Sequence, residues 1–453
     1  MDSRAPVSHD VGVLIENGLI RQVAKFSLTD QSISRNTEVV ALDGLVLPGF
    51  VYAHSHLRGL ALSEQGVPDI DLESWLLRLR TVTQLDVADE ALVAAGDLLA
   101  AGVTAVQGVL HSFAGRDEYL DQVQSAARAL DATGISAELM IGLTDQAEYS
   151  PASPCGAGPE RGMPVRQLRD LVSVARRSCP GKLTRVGVAP VAPQWCSDSL
   201  LAEIRALRVA GVRVHTHLLE SSFQRGWISE DPVSRLRRWD LLGPALSAAH
   251  GVWLAADEVA ELASRRVTVV HCPSSNAGLR VGTAPVARWR RAGLSVALGL
   301  DSHPIDGRVD MLAEMRAAVA AAGHLGDPLT GRQALGLATV GGAAAIGRSG
   351  QIGRIAAGYR ADLIAASAVA DEETAEGFLA AGSTADIHEV ICAGRRLVSG
   401  GRLHCAAEVE AARARSRQRL AADQGARAAR QSATGKQVRE LRQLLTRMPW
   451  GGA

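Results

Sequence analysis

Lysine is nearly missing from this chain of 453 residues: Lys25, Lys182 and Lys436 stand against 45 arginines among 48 basic residues. With alanine abundant as well, the bias is what a GC-rich genome produces and by itself carries no function. Net charge is missing too, since 48 acidic residues match the 48 basic ones. No global field therefore favours nucleic acid, an anionic membrane or a polyanionic partner, and the expected partner is a small molecule, with neither nucleic acid nor membrane. No uncharged apolar run approaches the ~20 residues of a membrane span. The opening Met-Asp-Ser-Arg-Ala-Pro-Val-Ser-His-Asp has no apolar signal-peptide core, which leads to the expectation of a cytoplasmic protein. Cys155, Cys179, Cys196, Cys272, Cys392 and Cys405 are scattered and form no Cys-x-x-Cys pair. That suits a reduced compartment better than a disulfide framework, and it argues against the small zinc deaminases that hold metal with cysteines. A His-Glu-x-x-His helix is missing as well.

What remains is an ordinary globular composition, 47% hydrophobic and 21% charged, in a chain long enough to bury one large core and a smaller one. Between residues 45 and 301, short β-branched or apolar runs alternate with amphipathic stretches, the pattern of parallel β/α units. Eight runs read as strands: Leu45 to Ala53, Val103 to Leu110, Ile135 to Leu143, Leu183 to Val191, Val212 to His217, Ala245 to His250, Val267 to Cys272 and Leu294 to Asp301. Eight is the number that closes a (β/α)8 barrel. Helical patterns include Asp89 to Ala101, Glu118 to Ala132, Val165 to Ser178, Ser197 to Val209, Ala256 to Ser264 and about Val309 to Ala322. The stretches starting at Val11 and Glu389 read as hairpins with Gly-containing turns, expected to pair into one small β-sandwich assembled from both termini. From Ala406 to Met448 the chain is rich in Ala, Glu, Arg and Gln and reads as a helical tail with a break near Gly425, more a packing helix than a partner-binding one. The expected α/β architecture is a TIM barrel over residues 48–345, a composite β-sandwich from 1–47 and 346–405, and a helical extension over 406–453.

Polar groups stand where the apolar strands finish. His54 and His56 end the run after Pro48-Gly49, and the strand period of 2 turns them the same way. A second His-x-His, His215-Thr-His217, is followed three residues later by Glu220; His250 and Asp301 close two further strands. In a parallel barrel such ends converge on one face, where the chemistry of these folds is placed. Three imidazoles and a carboxylate, His54, His56, His217 and Asp301, suit a divalent metal, most often Zn, with Fe or Mn as alternatives, and leave a position for water. Water on such an ion ionises near neutrality, so hydrolytic attack on an electron-poor carbon follows.

In these segments the sequence resembles the amidohydrolase superfamily, in the cytosine-deaminase-like branch that holds methylthioadenosine/S-adenosylhomocysteine deaminases and triazine chlorohydrolases. The resemblance covers roughly residues 10 to 403. It rests on Pro48-Gly-Phe-Val-Tyr-Ala-His54-Ser-His56, His217-Leu-Leu-Glu220, Ala249-His250-Gly-Val-Trp, His271-Cys-Pro-Ser-Ser-Asn276, Leu279-Arg-Val-Gly-Thr-Ala-Pro285, Gly299-Leu-Asp301-Ser and Gly353-Arg-Ile-Ala-Ala-Gly-Tyr-Arg-Ala-Asp362-Leu. Each segment is weak alone, and their joint order and spacing are strong. The resemblance makes His54, His56, His217 and Asp301 metal ligands, Asp301 the group that takes the proton from the water, Glu220 the proton donor to a substrate nitrogen, and His250 the group that orients the attacking hydroxide and stabilises the oxyanion. Here the scarcity of lysine matters. Binuclear relatives use a carboxylated lysine at the end of the fourth barrel strand, whereas Lys182 precedes that strand and no lysine stands at its end, which implies one metal ion per chain.

Other residues carry two readings each. His215 lies one layer deeper than His217 and is expected as a barrel-interior hydrogen-bonding group, with the metal shell as the alternative; His271 is expected to support the site. His303, Asp306 and Arg308 follow Asp301 and either touch substrate or are loop polarity. Trp75 and Trp195 either wall a planar heterocycle or pack in the barrel. Where relatives acting on adenosine derivatives often read Pro-His-Ala-Pro-Tyr-Thr-Cys, this chain has Pro190-Val191-Ala-Pro-Gln194-Trp195-Cys196, which removes a polar ring and brings Gln194 and Trp195 toward the substrate. The expected activity is release of ammonia from an N-heterocycle such as a purine, pterin or pyrimidine. C–Cl cleavage or cyclic-amide opening is the alternative, and a non-catalytic barrel is the remaining one. Homo-oligomerisation is left open.

Overall fold

A computed structural model describes residues 8–25, 37–145, 163–179, 183–225, 230–302, 309–367 and 375–445. His303, Asp306 and Arg308 lie outside the described residues, as does Lys182. Eight parallel strands form one sheet in sequence order: β1 (Phe50–Ser55), β2 (Val103–His111), β3 (Ser136–Leu143), β4 (Thr184–Pro190), β5 (Val214–Leu218), β6 (Leu246–His250), β7 (Thr268–His271) and β8 (Ser295–Leu298). The ring closes through a parallel bridge between Ser55 and Asp301, with the Asp301 N–H donating to His54 O at 3.2 Å. The fold is thus the expected (β/α)8 barrel. Strands covered on both faces read as near-continuous apolar runs, and β1, β5, β6 and β7 are buried along their whole length.

The first expected strand divides in two. Leu45–Pro48 pairs antiparallel with Leu363–Ala366 in a separate sheet, and the barrel strand begins only at Phe50. Gly49 is the switch. Its N–H donates to Asp362 O in the outer sheet, whereas the Phe50 N–H donates to Gly102 O at the barrel rim. A Cβ on residue 49 would stand 2.3 Å from Thr104 Oγ1, so only glycine allows the crossing.

The outer sheet has five strands, in the order Arg402–Leu403, Arg395–Ser399, Ile387–Cys392, Leu363–Ala366 and Leu45–Pro48. The N-terminal hairpin, Val11–Glu16 and Leu19–Lys25, remains a two-stranded sheet of its own, turning at Asn17-Gly18 with both residues at positive φ. It packs on the outer sheet through Ile20, Ala361, Leu363 and Ile391. Both termini therefore contribute, but as two sheets in contact and not as one paired set.

Helices Ala406–Ala422 and Gln424–Leu445 follow, interrupted at Asp423. Val409 of the first seats against Gly96, while Val438, Leu441 and Leu445 of the second cover Leu77 in helix Leu72–Leu79. Burying one such side chain contributes about 1.5–3 kcal/mol. Asp423 accepts from Thr83 Oγ1 at 2.7 Å and Gln431 donates to Gln65 O at 2.8 Å, so the tail braces the segment after β1. No helix among the described residues is long and apolar enough to cross a membrane.

Candidate metal centre

The C-terminal strand ends bring the expected groups together. One ligand atom each from His54, His217, His250 and Asp301 lies within 4.8 Å of all the others, and all four residues are buried. His56 joins from the rim: its Nε2 is 3.0 Å from Asp301 Oδ1 and 3.4 Å from His217 Nε2. His54 Nε2 is 3.2 Å from the same Asp301 oxygen. Buried His54 Nε2, His250 Nε2 and Asp301 Oδ1 have no hydrogen-bond partner among the described residues. Orphaned buried polar atoms converging on one point are costly unless something binds them. Imidazole nitrogens with a carboxylate form a donor set for a divalent transition metal, so the residues fit one.

The other ring nitrogens are tied from outside, which orients the rings. His217 Nδ1 donates to Val191 O at 2.7 Å, and His250 Nδ1 to Asn276 Oδ1 at 2.9 Å. His56 Nδ1 faces His111 Nε2 at 3.1 Å, and His54 Nδ1 faces His215 Nε2 at 2.8 Å. Asp301 Oδ2 accepts from Ser275 Oγ at 2.7 Å, its backbone oxygen accepts from Tyr52 at 2.8 Å, and the Ser274–Ser275 turn is anchored by Glu314, which accepts from the Ser274 N–H at 3.1 Å. His250 and Asp301 sit in the left-handed region, with φ of 69° and 64°, as do Leu57 and Leu219 after β1 and β5. For non-glycine residues this costs about 1–2 kcal/mol each, and such strain gathers at functional sites.

Burial pushes His54 down to about 4 and holds His217 well below the usual range, so both rings are neutral and offer lone pairs. Burial raises Asp301, but the His54 and His56 rings that face it outweigh this and hold its carboxyl well below the ordinary value. Glu220 is the opposite case. Burial, then the negative charges of Asp301 and Glu73, push its carboxyl well above the ordinary value. Its Oε1 lies 3.6 Å from His250 Nε2. A protonated acid therefore stands beside a neutral imidazole at the edge of an anionic cluster.

Of the expected substrate residues, Gln194 and Trp195 form a short turn after β4 and are buried. Both amide atoms of Gln194 are without a partner among the described residues. Trp195 packs with Val191, Ala192 and Leu76, which ties this turn to the helix carrying Trp75. Trp75 is buried in the main core, its indole nitrogen without a partner among the described residues. His271 is buried with neither ring nitrogen bonded among the described residues. Sequence reasoning missed His111, Gln107, Asn276, Ser275 and Glu73. Signals were present for four of them: Gln107 is a polar residue inside the apolar run Thr-Ala-Val-Gln-Gly-Val-Leu, His111 directly follows that run, and Ser275 and Asn276 lie in the segment starting at His271. Glu73 accepts a hydrogen bond from Ser221, next to Glu220, and burial pushes it up to about 7.

The profile of the amidohydrolase family matches residues 45–397. A 5-methylthioadenosine/S-adenosylhomocysteine deaminase of Moorella thermoacetica is 31% identical over 351 residues, covering 73% of this chain and 74% of that protein. A 5'-deoxyadenosine deaminase of Methanothermobacter thermautotrophicus is 29% identical over 412 residues, covering 86% and 90%. Among solved structures, an adenosine deaminase from Xanthomonas campestris with bound zinc superposes with a TM-score of 0.79 at 25% identity, covering 93% of this chain and 97% of that one. An atrazine chlorohydrolase from Arthrobacter aurescens complexed with zinc shares the fold, with a TM-score of 0.77 at 20% identity and coverage of 90% and 95%.

Proposed function

This chain belongs to the amidohydrolase family, and from that premise we propose that it is a metal-dependent aminohydrolase releasing ammonia from a planar N-heterocycle. The observation that carries the reading is the buried cluster of imidazoles and a carboxylate with the Glu220 carboxyl at its edge, 3.6 Å from His250 and pushed upward by burial. His54, His56, His217 and Asp301 would hold one divalent ion, and zinc is our choice because the Xanthomonas structure holds it. A bound ion of this kind lowers the pKa of water toward neutrality. Asp301, kept anionic, accepts a proton from the attacking water, and His250, with its lone pair on Nε2, accepts a hydrogen bond that aims it. Glu220 gives its proton to the ring nitrogen beside the attacked carbon, neutralising the negative charge that addition would leave there; Asp301 passes the proton it took from water to the amine, which leaves as ammonia, and the hydroxyl proton returns to Glu220 as the carbonyl forms. An amine leaves poorly unless protonated, so a second carboxylate able to carry the water proton to the leaving group, Asp301, favours deamination over C–Cl cleavage.

The named relatives act on adenosine derivatives, which makes adenine nucleosides the first substrates to test, ahead of free purines, pterins and pyrimidines. Gln194, Trp195 and Trp75, with His303, two residues after Asp301 in sequence, are proposed to contact the heterocycle. The deciding experiment is ammonia release across that panel by protein of known metal content. Turnover of a chlorinated or cyclic-amide analogue with no ammonia from any amino-heterocycle would overturn the reading.

A further inference from the structure

His54 differs from His217 and His250 in how its outer nitrogen is held. His217 and His250 donate to carbonyl oxygens, of Val191 and Asn276, which accept and nothing else. His54 Nδ1 instead meets a second buried imidazole, His215 Nε2, at 2.8 Å. His215 lies two residues before His217 on β5, and its own Nδ1 stands between two partners. Ser247 Oγ on β6 is 2.9 Å away, and Gln107 Nε2 on β2 is also 2.9 Å away. Gln107 Nε2 in turn donates to the carbonyl of Ala53 at 2.8 Å, the residue before His54. The chain of contacts leaves β1 at a ring nitrogen and returns to the β1 backbone one residue earlier.

Hydrogen positions follow from what His54 Nε2 must present. A nitrogen facing a cation needs its lone pair, so a neutral His54 carries its hydrogen on Nδ1 and donates to His215 Nε2. His215 then carries its hydrogen on Nδ1, and only Ser247 Oγ can accept it, because Gln107 Nε2 is a donor. In the reverse tautomer Gln107 donates to His215 Nδ1 and His215 Nε2 donates to His54 Nδ1. That places the His54 hydrogen on Nε2, aimed into the cluster and incompatible with a cation. Each ring keeps one hydrogen in both arrangements, so the choice between them changes no charge.

We propose that His215 is a positioning residue whose tautomer sets the His54 lone pair, with Ser247 and Gln107 as competing partners, and that a divalent cation at the cluster selects the Ser247-bonded state. The proposal rests on the metal-binding reading of the cluster. A histidine that only filled space here would have no need of a donor on one side of Nδ1 and a hydroxyl acceptor on the other.

The test strips the full-length protein of metal and titrates it with Zn2+ against a chromogenic chelator, comparing wild type with His215→Leu and His215→Gln. Glutamine places an acceptor oxygen near the position of imidazole Nε2, and leucine does not. His215→Leu is expected to bind zinc about 10- to 100-fold more weakly, and His215→Gln to recover most of that loss. Wild-type affinity in His215→Leu, or equal loss in both variants, overturns the proposal. Long-range 1H–15N spectra of histidine-labelled wild-type protein supply a second readout that needs no variant to fold. With zinc bound, His215 should be protonated on Nδ1 and bare on Nε2, and the reverse pattern overturns the proposal. Zinc uptake by wild type with an unmoved His215→Leu sinks this proposal alone; no zinc uptake by wild type sinks the metal-site reading with it.

Discussion

Glu220 Oε1 and His250 Nε2 face each other at 3.6 Å with both residues buried, and His250 is held from behind by Asn276. Burial pushes the Glu220 carboxyl up and the His250 imidazole down, which favours a donor on one and an acceptor on the other toward whatever enters between them. Neither is satisfied by the other at that distance, which exceeds hydrogen-bond length.

Replacing Glu220 with Gln keeps the shape and removes the transferable proton. Turnover should fall by ~10²–10⁴-fold, the usual contribution of a general acid–base group. Metal content should not change, because Glu220 stands outside the four proposed ligands. Steady-state ammonia release and metal analysis of the same preparation check both halves. A variant that keeps most of its kcat would make Glu220 a structural carboxylate.

Metal stoichiometry is the next expectation. Protein purified without chelator should hold about one divalent ion per chain, and His217→Ala or His56→Ala should lose metal and activity together. His56 is the informative member because it approaches from the rim, with its side chain 11% exposed, and its outer nitrogen faces His111. Two tightly bound equivalents in active protein would contradict the single site.

The barrel and the gathering of His54, His56, His217, His250 and Asp301 were legible because each is a polar group ending a β-branched run, and parallel strand ends meet on one face. What was not legible depends on contacts across the ring. The break at Gly49 is set by Thr104, fifty-five residues away in sequence. The partners of His215 come from β2 and β6, and the pairing of Glu73 with Ser221 joins the helix after β1 to the loop after β5. Local pattern carries no information about such pairings. The left-handed backbone of His250 and Asp301 is equally invisible, since neither residue type calls for it.

Glu73 gives a pH dependence with a definite sign. Burial raises its pKa from 4.5 in the unfolded chain to about 7 in the folded one, so between these values the folded state holds a proton that the unfolded state has released. The stabilisation is fully present below pH 4.5 and is lost as pH rises through about 7. A shift of that size corresponds to about 3 kcal/mol. Glu73→Gln cannot ionise and still accepts from Ser221, so the variant should gain on wild type by up to about 3 kcal/mol between pH 4.5 and 8, read by urea unfolding. A gap between the two proteins that stays constant with pH would show that Glu73 does not titrate in this window.

Substrate choice should depend on Gln194. Its amide is buried, and neither oxygen nor nitrogen has a partner among the described residues, so a donor and an acceptor are left for a ligand to satisfy. The turn that carries it follows β4 directly, and Val191 in the same stretch accepts from His217, which places Gln194 three residues from a contact of the metal centre. A carboxamide reads one donor and one acceptor on the edge of a heterocycle, and a buried bond left unmade costs about 1–3 kcal/mol, roughly 5- to 150-fold in kcat/KM. Gln194→Ala should therefore lower kcat/KM unequally across analogues that differ at one exocyclic group, most for those whose group pairs with the amide, with metal content unchanged. A uniform loss across the series would mean that Gln194 supports the turn without touching substrate, and recognition would then fall to Trp75 and the loop after Asp301.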